Sequence, residues 1–147
     1  MMNDEVLLID NQICFSLYRL SKLITSQYRP YLDEINLTYP QYLVMLALWE
    51  TDKVNMSQLG EKLSLDNGTL TPLIKRLIEK GLVEKKRCIE DERIVYITTT
   101  TSGKKLKKKA KSIPQKLLCS NNVDLKEIQK LKAEADKIYN QWSTHEK

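Results

Sequence analysis

Three cysteines and a scatter of tyrosines are the side chains of this 147-residue chain best equipped for covalent chemistry. Cys14, Cys88 and Cys119 are too widely separated for a CxxC pair, a metal knuckle or the disulfide framework of a small secreted domain. Each is therefore a lone thiol. Such a thiol is either a nucleophile acting through its thiolate or a small apolar side chain buried for packing. Around the first of them, Cys14, Tyr18, Ser21, Thr25 and Tyr28 step at helical spacing along one stripe, beside the apolar seam Ile13, Leu17, Leu20 and Ile24.

A second group of candidates is cationic. Lys75 and Arg76 follow the small polar residues Asn67, Thr69 and Thr71, while Lys85, Lys86 and Arg87 precede a charged stretch that ends in Asp91 and Arg93. Small polar side chains allow close approach to base edges, and cations at a helix or on a thin ribbon favour phosphate or a narrow minor groove. Taken singly, each base could equally be an idle solvated charge. Asp91 is placed to brace Arg93 by an ion pair.

The elements that must position these groups are mostly helical. Residues 5–29 read as a helix that Pro30 should end or kink. Thr38 caps a second helix with Pro40 in its first turn, and the run Tyr42–Trp49 is apolar nearly all round, which marks a central, buried helix. Asn55 caps a short third helix over 56–63. Asp66 opens a fourth over 68–80, closed by Lys80 and Gly81. The period then changes from 3.6 to 2: Leu82–Arg87 and Ile94–Thr98 are two strands of a hairpin with Cys88–Arg93 at its exposed tip. From Thr101 a Lys-rich helix runs to about Cys119, bent at Pro114, and a last amphipathic helix spans 123–142.

Two short helices joined by a tight turn and followed by a hairpin form a winged helix-turn-helix. The fold class is mainly α with a small β-hairpin wing. This DNA-binding module spans residues 37–100, between an N-terminal region 1–36 and a C-terminal region 101–147, within one structural domain. Charge distribution agrees with a polyanion partner: residues 1–65 carry a net −3 and residues 66–147 a net +8, within an overall +5. The longest apolar run is eight residues, against about 20 for a membrane helix. The opening Met1-Met2-Asn3-Asp4-Glu5 is acidic where a secretory signal would be basic, so a cytoplasmic location with no membrane partner is expected.

Leu65-Asp-Asn-Gly-Thr-Leu-Thr-Pro-Leu-Ile-Lys-Arg-Leu77 together with Asp91-Glu92-Arg93 resembles the MarR family of winged-helix repressors, with Asn67 standing where close relatives carry Ser. The resemblance spans essentially the whole chain and implies an all-helical dimerisation region built from both chain ends, residues 1–36 and 101–147. Asn11-Gln-Ile-Cys-Phe-Ser-Leu-Tyr18 and Leu37-Thr-Tyr-Pro-Gln-Tyr42 are similar to the branch of that family that senses organic hydroperoxides. The resemblance implies that Cys14 is the sensing thiol, supported by Tyr28, Tyr39 and Tyr18. It also implies that Cys119 resolves the oxidised Cys14 as an inter-subunit disulfide. The DNA contacts expected from the exposed face of the winged helix-turn-helix are Asn67, Thr69, Thr71, Lys75, Arg76, Lys86, Arg87, Asp91 and Arg93. Cys14 and Tyr28 are fourteen residues apart, about 21 Å along a straight helix. They therefore meet only between subunits of a two-fold dimer or across a broken helix.

The expected protein is a homodimeric redox-sensing repressor of an inverted-repeat operator, with an organic hydroperoxide as signal and no cofactor or metal. A repressor of the same family gated by a phenolic or lipophilic ligand, with Cys14 passive, is the alternative. A thiol peroxidase fits poorly, because the chain lacks CxxC, its one histidine is His145, and the basic winged module would be unexplained.

Overall fold

The computed structural model describes residues 4–89, 91, 93–121 and 123–144. Two compact units divide it, residues 1–111 and 112–147. The first unit opens with two 3-10 turns, Asp4–Leu7 and Ile9–Asn11, and continues through α1 (Ile13–Asp33), α2 (Tyr39–Glu50), β1 (Val54–Asn55), α3 (Met56–Leu63), α4 (Asn67–Glu79), β2 (Val83–Arg87), β3 (Val95–Thr99) and α5 (Thr101–Ala110). The second holds α6 (Ile113–Ser120) and α7 (Leu125–Ser143).

The first helix starts later and ends later than its periodicity suggested. Side-chain amides hold the preceding segment in turns: Asn11 Nδ2 donates to Glu5 O at 2.7 Å and Gln12 Nε2 to Val6 O at 2.6 Å. At the other end α1 runs through Pro30 to Asp33 without stopping. A proline removes one backbone donor, and here the residues beyond it, Leu32 and Ile35, are buried and keep the last turn in place.

Helix α2 is the centre of the unit. Thr38 and Gln41 form a reciprocal capping box at its start, and Tyr42, Val44, Met45, Ala47 and Leu48 are all buried. Leu59 of α3, Leu70, Ile74 and Leu77 of α4, and Val83 and Ile97 of the sheet complete the core. Each such side chain contributes about 1.5–3 kcal/mol by leaving water. A second capping box, Asn55 with Gln58, starts α3. Ser64 turns the chain in the left-handed region at φ 52° between α3 and α4.

The expected two-stranded hairpin is a three-stranded antiparallel sheet in the order β1-β3-β2, with Val54 opposite Ile97, Val83 opposite Thr99 and Arg87 opposite Val95. A two-residue strand is too short to show alternation, so β1 had no sequence signal. The single Lys-rich helix is also two helices: Lys111 and Ser112 break it, and Pro114 sits in the first turn of α6, where a missing donor costs nothing.

In the second unit Asp124 caps α7 by accepting the Lys126 N–H at 2.9 Å. Leu125, Leu131, Ile138, Tyr139 and Trp142 stand exposed along that helix. Among the described residues, no helix is long and apolar enough to cross a membrane.

Candidate nucleic-acid interface and thiol site

Helix α4 turns Leu70, Ile74 and Leu77 into the core, which leaves Asn67, Thr69, Thr71, Lys75 and Arg76 exposed on its other sides. Its start is held by Asp66, whose Oδ1 accepts the Thr69 backbone N–H at 2.8 Å and whose Oδ2 accepts the Thr69 hydroxyl at 3.0 Å. These hydrogen bonds, the backbone one foremost, hold the Asp66 carboxyl below its usual value. The Thr69 proton is thereby committed to the cap, so Thr69 faces a ligand only as an acceptor. Lys75 and Arg76 follow on the exposed side, one turn further along.

On the wing, Lys85, Lys86 and Arg87 are exposed along β2. Lys86 pairs with Glu84 at 2.8 Å, a contact that raises the lysine above its ordinary value and keeps it charged, while the carboxylate offsets part of its attraction for an outside anion. The expected ion pair between Asp91 and Arg93 takes another form: Asp91 Oδ1 accepts the backbone N–H of Arg93 at 3.0 Å. A carboxylate two residues back reaches the main chain more easily than the far end of the guanidinium. Arg93 is exposed. Glu90 and Glu92 lie outside the described residues.

Cys88 is half-buried rather than exposed at the hairpin tip. Its N–H donates to Ile94 O at 2.8 Å, continuing the strand pairing past β2. The thiol lines an open cleft of about 540 Å³ with Asp52, Lys53, Tyr96 and Lys104. Lys53, in the left-handed region at φ 72°, places its ammonium 4.7 Å from the centre of the Tyr96 ring. No local pattern announces that pair, because β3 brings Tyr96 to Lys53 from far along the chain.

Tyr28 of α1 and Tyr39 of α2 pack with ring centres 5.2 Å apart. Tyr42 completes the cluster at 5.9 Å from Tyr28 and 6.5 Å from Tyr39. Burial pushes all three phenols up, Tyr42 to about 12, with the neighbouring phenols adding to the effect on Tyr28 and Tyr42. The rings are thus neutral O–H donors across the physiological range. Beside them, a cleft of about 470 Å³ is lined by Lys22, Thr25, Arg29, Thr38 and Tyr39.

Cys14 lies in the first turn of α1 and is exposed. The helix between it and Tyr28 is unbroken, so the two are held about 21 Å apart along its axis. Tyr18, exposed on the next turn, has the Lys22 ammonium 5.3 Å from its ring. Cys119 is exposed on α6 and lines an open hollow with Leu118, Val123 and Leu125 in the second unit. Among the described residues, no group of His, Cys, Asp and Glu could hold a metal ion.

Residues 26–110 match the family described as transcriptional regulator SarA/Rot. The chain is 46% identical over 125 residues to the organic hydroperoxide resistance transcriptional regulator of Bacillus subtilis, covering 85% of each chain. Among solved structures, it is 31% identical to reduced AbfR bound to DNA, a protein of Staphylococcus epidermidis, with a TM-score of 0.76 and coverage of 96% of this chain and 98% of that one. Against the disulfide form of AbfR the identity is 31%, the TM-score 0.64, and the coverage 97% and 95%. The winged helix, the match over residues 26–110 and these likenesses agree with the resemblance read from the motifs, and the chain belongs to the SarA/Rot family of MarR-like winged-helix transcriptional regulators.

Proposed function

We propose that the protein is a homodimeric, redox-sensing repressor that binds an inverted repeat in operator DNA and releases it when an organic hydroperoxide oxidises Cys14. Helix α4 and the wing of each protomer supply the DNA contacts, with half-sites about one helical turn apart. Asn67, Thr71, Lys75 and Arg76 face the bases and phosphates from α4. Thr69 adds an acceptor at its start, and Arg87 and Arg93, with Lys86 and Asp91 beside them, act from the wing.

The observation that carries the reading is the separation of an exposed Cys14 from a packed pair of phenols by the length of one continuous helix. Within a protomer they do not meet. A two-fold crossing of α1 helices brings Cys14 to Tyr28 and Tyr39 of the partner subunit, with Tyr18 alongside. The exposed apolar stretch Val6, Leu7, Leu8, Ile9, Ile13 and Leu17 supplies a surface for that crossing. Neutral phenols that donate to the sulfur favour its thiolate, the form that attacks peroxide.

In the reaction the Cys14 thiolate attacks the terminal oxygen of the hydroperoxide. An S–O bond forms as the O–O bond breaks, and the alkoxide takes a proton and leaves as the alcohol. The Cys119 thiol of the partner subunit then displaces hydroxide from the sulfenic acid, giving a disulfide and water. This requires the two Cα atoms to come within about 7 Å; if they start further apart, helices move or partly unwind and the recognition helices are re-spaced.

A non-reducing gel with peptide mapping, after one equivalent of cumene hydroperoxide per subunit, tests this alongside binding to a duplex selected from a random library by the reduced protein. The expected result is a covalent dimer linked Cys14–Cys119 and loss of the duplex. Unmodified Cys14 with undiminished binding overturns it.

A further inference from the structure

One charged side chain joins the recognition helix to the tyrosine cluster. Lys80 caps the C-terminal end of α4, and its ammonium reaches 44 residues back to donate to Asn36 O at 2.5 Å and, 39 residues back, to Gln41 Oε1 at 2.9 Å. The first acceptor lies in the join between α1 and α2, the second in the first turn of α2. Asn36 turns the chain there at φ 53°. Gln41 is 2% exposed, and the same Oε1 accepts the Thr38 N–H at 3.2 Å as half of the α2 capping box. Gln41 sits in sequence between Tyr39 and Tyr42, so the first turn of α2 carries the phenols on one side and the acceptor for Lys80 on another.

A lysine ending a helix ordinarily points into water and offsets the helix dipole. Here two of its three donors are spent, one on the turn that leads into another helix and one on the first turn of that helix. Apolar packing between α2 and α4 tolerates small sliding, whereas two directional hydrogen bonds from a cation fix the register between the helices. The side-chain amide oxygen of Gln41 holds that register and the start of α2 at once, so a displacement of Tyr39 and a displacement of α4 compete for the same atom.

We propose that Lys80 is a positioning residue that couples the Tyr28/Tyr39 cluster to the recognition helix. It passes a shift of the first turn of α2 to the C-terminal end of α4. The proposal rests on the reading of Cys14 and the two phenols as the sensor. Its consequence is that removing the ammonium uncouples DNA release from thiol oxidation without touching either the thiol or the DNA-facing side chains.

The test compares wild type, Lys80→Met and Lys80→Arg as full-length dimers, on the duplex selected by the reduced protein, before and after cumene hydroperoxide. Cys14 oxidation is followed by mass spectrometry in parallel. In wild type, oxidation lowers affinity within the roughly 5- to 150-fold range of allosteric couplings. In Lys80→Met, Cys14 oxidises as in wild type but the affinity ratio shrinks by roughly 2- to 30-fold, and Lys80→Arg, which keeps a cationic donor, recovers most of it. If Lys80→Met does not fold as a dimer, Lys80→Gln, a shorter neutral donor, is used with the same outcomes. A wild type that responds while Lys80→Met responds equally overturns this proposal alone. A wild type whose Cys14 oxidises with no loss of affinity overturns the sensor reading and this proposal with it.

Discussion

The indole N–H of Trp49 donates to the carbonyl oxygen of Gly103 at 2.9 Å, across 54 residues of sequence. The bond ties the end of α2 to the first turn of α5, and Lys107 strengthens the junction by donating to the Trp49 carbonyl at 2.8 Å. Gly103 also packs against the chain around Leu82, which it can do because it lacks a side chain. A Cβ there would stand 2.2 Å from Leu82 O, at the root of the wing. The same root is held by the Thr100 hydroxyl, which donates to Gly81 O at 2.7 Å.

Gly103→Ala therefore pushes α5 away from Leu82 and strains the Trp49 bond. Overpacking of this kind costs about 1–3 kcal/mol, a fall in Tm on the order of 2–12 °C for a chain of this size. Thermal denaturation followed by circular dichroism measures it, and an unchanged Tm would show that the first turn of α5 moves freely.

Arg93→Ala weakens binding to the selected duplex and leaves dimerisation unchanged. Loss of one phosphate or minor-groove contact also lowers the slope of log affinity against log salt by about 1. Binding titrations at several salt concentrations read both effects, and unaltered affinity removes the wing from the interface.

Cys119→Ser separates sensing from resolution. The variant still oxidises at Cys14 but accumulates the sulfenic acid, or a disulfide with an added small thiol, with no covalent dimer. Cys14→Ser binds DNA and ignores peroxide. Peptide mapping with a sulfenic-acid trap distinguishes the variants, and continued release of Cys14→Ser from DNA by peroxide would sink the assignment of Cys14.

Alkali is expected to weaken the fold through Tyr42. Burial, with help from Tyr28 and Tyr39, pushes this phenol up to about 12 in the folded chain, whereas it loses its proton near about 10 when unfolded. Above the lower value the unfolded state holds fewer protons than the folded one, so stability declines as pH rises. The contribution is whole below the unfolded value and is lost progressively through the folded one. Denaturant midpoints between neutrality and strong alkali should fall less steeply for Tyr42→Phe than for wild type. Parallel curves would place the alkaline loss elsewhere.

Local chemistry made much of this molecule legible in its sequence. Thr38, Asn55 and Asp66 each cap the helix expected of them, because a short polar side chain finds its backbone donor within three residues. Gly81, at φ 67°, closes α4 as a glycine stop. The change from helical to alternating period located β2 and β3 to within a residue, and the motifs around Cys14, Tyr39 and α4 carried the family.

Tertiary structure alone decided the features made by distant segments. β1 exists because Val54 and Asn55 find a free edge of β3, not because two residues have a pattern. Pro30 leaves α1 running because Leu32 and Ile35 are buried beyond it. Tyr42 joins Tyr28 and Tyr39 only once α1 and α2 pack together. Lys80 read as an ordinary helix-end charge until the fold carried Asn36 and Gln41 to its ammonium. Caps and periods act over a few residues of chain, so sequence determines them. A clamp, a ring cluster or a sheet edge is set by distances that exist only after the core has formed.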